Sequence, residues 1–104
     1  MANVLIIDDN EQFCDLLCKM VQKEGYEAVC AYTLTDGLHY AATEPFDVVF
    51  LDVILPDGNG LDKLAEIRHS PSAPEVIILT GAGTEDGAEM AIKSGAWDYI
   101  PKPS

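Results

Sequence analysis

Short apolar runs in this chain end abruptly on chemically distinctive residues, and that punctuation limits the folds open to it. Val4-Leu5-Ile6-Ile7 runs into Asp8 and Asp9, and Val48-Val49-Phe50-Leu51 into Asp52. Val76-Ile77-Ile78-Leu79 runs into Thr80, and Tyr99-Ile100-Pro101 into Lys102. Short apolar runs bounded by turn residues read as strands buried on both faces, the kind found in parallel sheets. In an open parallel sheet, ligands bind outside the carboxyl ends of the strands. The pattern sends three carboxylates, a hydroxyl and an ammonium to one rim, a set suited to a metal ion and a phosphoryl group.

Between these runs the apolar spacing changes to three and four. Phe13, Leu16, Leu17, Met20 and Val21 give one apolar face to a helix from about Glu11 to Lys23, which Gly25 is placed to end. A strand over 26–31 follows. Thr33-x-x-Asp36 then resembles a capping box ahead of a helix through Leu38, Ala41 and Ala42, which Pro45 stops. After a strand over 47–51, the turn residues of Leu55-Pro56-Asp57-Gly58-Asn59-Gly60 predict a loop. A third helix should turn Leu61, Leu64, Ala65 and Ile67 inward, with Pro71 and Pro74 closing the unit before the strand at 76–79. Thr84 is the expected N-cap of a fourth helix from Glu85 to about Ser94, with Gly95 at its end, and a last strand is expected over 98–100. The alternation βαβαβαβαβ implies an α/β fold with a parallel sheet.

With 104 residues the chain makes one domain, long enough to bury roughly two-thirds of its unfolded surface. Eighteen acids against six bases leave a net charge of −12. Such a chain repels nucleic acid, because non-specific binding rests on Lys and Arg neutralising phosphates. No apolar run approaches the ~18 residues of a membrane span. The N-terminus lacks a basic segment, and Asp8-Asp9 interrupts any signal-like apolar stretch, so a cytoplasmic protein is expected. Cys14, Cys18 and Cys30 form no C-x-x-C motif and are expected to be reduced, buried thiols. A zinc site combining them with His39 or His69 would match no standard spacing.

Clustered carboxylates raise one another's pKa unless a cation joins them. Asp8, Asp9 and Asp52 make sense together as a hard-oxygen site for Mg²⁺. One carboxylate could then act as a nucleophile toward phosphorus, giving an aspartyl phosphate. The Lys102 ammonium and the Thr80 hydroxyl would neutralise charge on the transferring oxygens. Taken singly, each residue reads as a solvated turn acid, a surface lysine or a loop cap. Only their joint placement at successive strand ends points to a site.

Four segments carry a family resemblance: Ile6-Ile7-Asp8-Asp9, Phe50-Leu51-Asp52-Val53 with Pro56 and Gly60, Ile78-Leu79-Thr80-Gly81, and Gly95-Ala96-Trp97-Asp98-Tyr99-Ile100-Pro101-Lys102-Pro103. Together they resemble the receiver domain of two-component response regulators, from residue 4 to the end. The resemblance implies a flavodoxin-like, doubly wound fold with a five-stranded parallel sheet in the order 2-1-3-4-5. It also implies roles. Asp52 would be the phosphoacceptor, Asp9 the direct metal ligand, Asp8 the acid holding metal-bound water, and the Ile54 carbonyl a further metal contact. Lys102 would pair with the phosphate, Thr80 would be the switch hydroxyl, and Tyr99 the aromatic that changes rotamer. The peptide joining Lys102 to Pro103 would be cis, as in the family.

The function implied is a phosphorylation switch that accepts a phosphoryl group from a sensor histidine kinase or phosphotransfer protein and turns over no substrate. The stretch 97–103 is most similar to receivers of the nitrogen-regulator class, which act in transcription. Ile54 and Ala82 depart from the family in lacking polar side chains. A phosphatase or phosphotransferase using an aspartyl phosphate is the rival, but it would want Asp-x-Asp after a strand, whereas Asp8 and Asp9 are adjacent. A degenerate receiver that binds partners without phosphorylation is a third reading, disfavoured by the complete residue set. The sequence also stops where the family has a fifth helix. Residues 1–104 are therefore expected to be a receiver cut before that helix, or a homodimer that covers the open sheet face with a second copy.

Overall fold

In the computed structural model, which describes residues 2–80 and 92–102 apart from the side chain of Thr80, the expected alternation is realised with small shifts of boundary. β1 spans Asn3–Ile7, α1 Glu11–Lys23, β2 Glu27–Ala31, α2 Leu34–Thr43 and β3 Val48–Asp52. The Asn10 side chain accepts a hydrogen bond from the Phe13 amide at the start of α1. Thr33 does the same for the Asp36 amide at the start of α2. Each oxygen satisfies an amide that a first helical turn leaves unpaired. Gly25, at φ +95°, reverses the chain after α1 in a conformation that other residues avoid.

The expected loop after β3 is instead a small antiparallel hairpin, β4 Ile54–Leu55 and β5 Gly58–Asn59. The third helix is also tighter and shorter than the apolar spacing suggests. A 3₁₀ turn covers Gly60–Lys63, and α3 proper is only Leu64–Arg68. Leu64 and Ile67 are buried and Leu61 is half-buried, but Ala65 is exposed. One step along a helix rotates a side chain by about 100°, so so short a helix can bury one narrow ridge only. β6 Glu75–Thr80 and β7 Asp98–Pro101 complete the chain order. Of the expected fourth helix, Ile92 and Lys93 are helical. Its N-cap Thr84, the departure at Ala82 and the peptide before Pro103 lie outside the described residues.

The five long strands form one parallel sheet in the order β2-β1-β3-β6-β7. Counting those strands in sequence, this is the order 2-1-3-4-5 that the resemblance implies. Ile6 lies in register with Phe50 and Phe50 with Ile77, while Leu5 pairs with Val49 and Val49 with Val76. Partners in register share a face, because side chains alternate along each strand.

On one face Leu5, Ile7, Val49, Leu51, Val76 and Ile78 pack under Leu34 and Ala41 of α2 and Leu64 and Ile67 of α3. Here α2 comes so close that a β-carbon on Gly37 would collide with Ile7. On the other face α1 buries Cys14 against Val4 and Ile6, with Leu17, Cys18, Val21, Val48 and Phe50 half-buried around them. Leu16 and Met20, expected to point inward, are each 57% exposed. The stripe that meets the sheet is Cys14, Leu17, Cys18 and Val21, one helical step round from the expected one.

The three cysteines are free thiols, Cys14 buried and the other two half-buried. Their thiols donate to the carbonyls of Ile6, Ala28 and Cys14. Burial pushes the Cys14 thiol up, and the Cys30 thiol up to about 11, so both stay protonated near neutrality. Among the described residues they form no metal cluster with His39 or His69. No helix among those residues is long and apolar enough to cross a membrane.

Candidate functional site

Three strand ends deliver the site. Asp8 follows β1, Asp52 closes β3 and Lys102 follows β7. Carboxylate oxygens of Asp8, Asp9 and Asp52 lie within 4.8 Å of one another. Asp8 is wholly buried, Asp52 is 6% exposed and Asp9 faces solvent. Lys102 Nζ stands 2.9 Å from Asp8 Oδ2 and 3.4 Å from Asp52 Oδ2. It donates to Asp8 Oδ1 at 3.1 Å, and the same oxygen accepts from the Asn10 amide at 2.9 Å. The Phe13 ring centroid lies 5.2 Å from Nζ, close enough for a cation–π contact.

One ammonium cannot balance three carboxylates. Burial pushes the Asp52 carboxyl up to about 6, the charge of Asp8 adds to the rise, and Lys102 only partly opposes it. Burial also works against the Lys102 ammonium, but its hydrogen bond to Asp8 and the charges of Asp52 and Asp8 outweigh that and raise its pKa. Asp8 Oδ2 is buried without an aligned hydrogen-bond donor, although the ammonium is near. A surplus of negative charge, an unsatisfied buried oxygen and an all-oxygen donor set together fit a divalent cation of the Mg²⁺ or Ca²⁺ kind. The exposure of Asp9 leaves an opening to water on that side, which suits an ion that keeps part of its hydration shell.

The segment after Asp52 folds back on it. The Gly60 amide donates to the Val53 carbonyl at 2.7 Å, and any β-carbon on Gly60 would strike the Asp52 carbonyl oxygen. Glycine is therefore required there. At the hairpin tip, Asp57 accepts from the Leu34 amide at 2.8 Å, the Thr35 amide at 2.9 Å and the Thr35 hydroxyl at 2.6 Å. Those bonds, the hydroxyl's first among them, hold its carboxyl down at about 2.

Asp8, Asp9, Asp52 and Lys102 are thus brought together as the strand-end pattern anticipates. Ile54 opens the hairpin with its side chain 74% exposed. Tyr99 stands apart from the cluster, beside Ile78 in the register and 44% exposed. Thr80 ends β6, and its hydroxyl lies outside what is described. Three contributors escaped the sequence reading: Asn10, Phe13 and Asp57. An Asn just before a helix is a legible capping signal that could have flagged Asn10. Phe13 reads as an ordinary apolar helix residue, and nothing local couples Asp57 to residues more than twenty positions earlier.

Comparison with known proteins agrees with this fold. Residues 4–104 match the response regulator receiver domain family. The photosynthetic apparatus regulatory protein RegA of Rhodovulum sulfidophilum is 34% identical over 102 residues, covering 98% of this chain and 56% of RegA. This chain thus spans little more than half that relative's length. A response regulator from Burkholderia pseudomallei, solved with a phosphorylated aspartic acid, a calcium ion and citrate, superposes with a TM-score of 0.90 at 31% identity, over 100% of this chain and 61% of that one. NtrX from Brucella abortus, solved with ATP, gives a TM-score of 0.90 at 31% identity, over 99% of this chain and 24% of that one. With this sheet order and a family match across nearly its whole length, the chain belongs to the response regulator receiver domain family.

Proposed function

We propose that this receiver accepts a phosphoryl group on Asp52, with Mg²⁺, from a sensor histidine kinase or phosphotransfer protein, and thereby controls an output domain or partner. The observation that carries the reading is the placement of buried Asp52 among Asp8, Asp9 and Lys102. Above about pH 6 the Asp52 carboxylate is mostly ionised, and one of its oxygens can form the new O–P bond while the donor's P–N or P–O bond breaks. Bound Mg²⁺ would neutralise charge on the transferring oxygens. Asp9, Asp8 and the Ile54 carbonyl would hold the ion, and Lys102 would pair with a phosphoryl oxygen once Asp52 is phosphorylated. The hydrogen bond to Asp8 holds the Lys102 ammonium within reach of Asp52.

A hydrogen bond from the Thr80 hydroxyl to the phosphoryl group would draw its loop inward and let Tyr99 turn, biasing a two-state surface of the fourth helix and β7. The resemblance of the stretch 97–103 to nitrogen-regulator receivers favours an output in transcription. The reduced thiols suit a cytoplasmic setting. Residues 1–104 are read as the receiver unit of a longer regulator.

The test is incubation with a small phosphodonor such as acetyl phosphate, with and without chelator, read by intact mass. The parent should gain one phosphoryl group only with Mg²⁺, and Asp52→Asn should gain none. Label retained in Asp52→Asn at the parental level would overturn the assignment. Thr80→Ala should still be phosphorylated but should lose the change in partner binding. Steady release of phosphate from a generic phosphomonoester would instead favour a phosphatase.

A further inference from the structure

We infer that Asp57 is a positioning residue for the cation site, anchoring to α2 the hairpin that carries the Ile54 carbonyl. The inference rests on reading the Asp8, Asp9 and Asp52 cluster as that site. In the hairpin the Gly60 amide donates to the Val53 carbonyl, and the register pairs Ile54 with Asn59. Bonded and non-bonded pairs alternate in an antiparallel ladder. Val53 and Gly60 are a bonded pair, so Ile54 and Asn59 are a non-bonded one. The Ile54 carbonyl, two residues after Asp52, is therefore left out of the hairpin's own bonding and remains available as a ligand.

A two-residue ladder is too short to hold that carbonyl still by itself. The added restraint comes from the tip. The Asp57 carboxylate takes both the Leu34 and Thr35 amides and the Thr35 hydroxyl. These amides belong to the first turn of α2 and have no intrahelical acceptor, and an anion there also meets the positive end of the helix. Thr33 already caps α2 by accepting from the Asp36 amide. Asp57 therefore takes what the local cap leaves over, and the bond ties two distant segments together. Gly58 lies close against the Leu34 side chain and Leu55 is buried, so packing and charge fix the hairpin in one place.

Magnesium titration by calorimetry on the unphosphorylated protein tests this, with urea denaturation run on every variant. Asp57→Ala should weaken Mg²⁺ binding by about 10-fold, the low end of the roughly 10–100-fold that outer-shell partners cost. Thr33→Ala removes the local cap of the same helix without freeing the hairpin, and should bind Mg²⁺ like the parent despite lower stability. Asp57→Asn keeps an acceptor and should fall between, and it stands in if the alanine variant fails to fold. Parental affinity in both Asp57 variants would overturn the inference, as would an equal loss in Thr33→Ala, which would mark the effect as general destabilisation. A parent that binds no Mg²⁺ would overturn the cation-site reading itself, and the inference with it.

Discussion

The two faces of the sheet use the same strands and are finished to different degrees. Under α2 and α3, Leu5, Val49, Leu51, Val76 and Ile78 are sealed from solvent. Under α1, Val48 and Phe50 stay half-exposed, and a groove of about 280 Å³ opens between Val4, Val21, Tyr26, Phe50 and Ile77. Ile100 of β7, on the same side by register with Leu79, is exposed as well. Burial free energy scales with apolar area removed from water, so the sheet's hold on its helices comes mostly from the first face. The charged rim belongs to the thinner side. Asp52 follows Leu51 in β3, so alternation carries it to the side of Phe50, and Phe13 of α1 reaches Lys102. The difference teaches that this molecule separates its work, with packing on one face and strained electrostatics at the end of the other.

The sharpest way to break that comparison is a pair of truncations. Ile78→Ala on the packed face should cost about 3–4 kcal/mol through lost burial and a cavity, measured by urea denaturation. Met20→Ala on α1 should cost about 0.5 kcal/mol or less, as exposed substitutions do. Similar losses at both positions would show that the open face is packed more firmly than its exposure says.

At the rim, charge should matter more than packing. Lys102→Met keeps much of the aliphatic volume but leaves Asp8 buried without its cation. Breaking such a pair costs about 3–5 kcal/mol when fully buried, and the 18% exposure of the lysine side chain lowers the expectation to about 2 kcal/mol. Added Mg²⁺ should restore much of that loss, because it supplies the missing positive charge. An unchanged stability without metal would mean that water already screens the cluster.

Asp52→Asn should act in the opposite direction and depend on pH. The native carboxyl titrates near 6 and its unfolded counterpart near 3.8, so between those values the folded chain binds the extra proton. Stability therefore falls as pH rises from about 4 to about 6 and stays lowered above it. Without metal, Asp52→Asn should gain about 2 kcal/mol at pH 7.5, at about 1.4 kcal/mol per pKa unit with an allowance for relaxation. Near pH 4 it should gain almost nothing. A pH-independent gain would point to packing and away from charge.

The smallest effect concerns the open face alone. Leu16→Lys should change stability by no more than about 0.5 kcal/mol, yet lower any self-association of residues 1–104 at high concentration, since exposed apolar patches drive such contacts. Sedimentation of the parent and variant reads this directly. A parent that stays monomeric at every concentration would show that the exposed apolar residues of α1 recruit no neighbour.

The sequence by itself determined the strand ends and what stands on them. Apolar runs had to be buried strands, their polar successors had to sit at one edge, and Thr33 marks a helix start through purely local hydrogen bonding. The α/β class followed from that alternation, while the strand order came through family resemblance and is now seen in the register. Tertiary structure decided the rest. Which stripe of α1 turns inward depends on where the sheet lies: apolar spacing picked out Leu17 and Val21 but could not choose Cys14 over Leu16 and Met20. Ala65 faces water because α3 is a single short turn behind a 3₁₀ segment. The tie from Asp57 to α2 joins segments distant in sequence, and its physical reason is an acceptor meeting unpaired amides that only folding brings within reach.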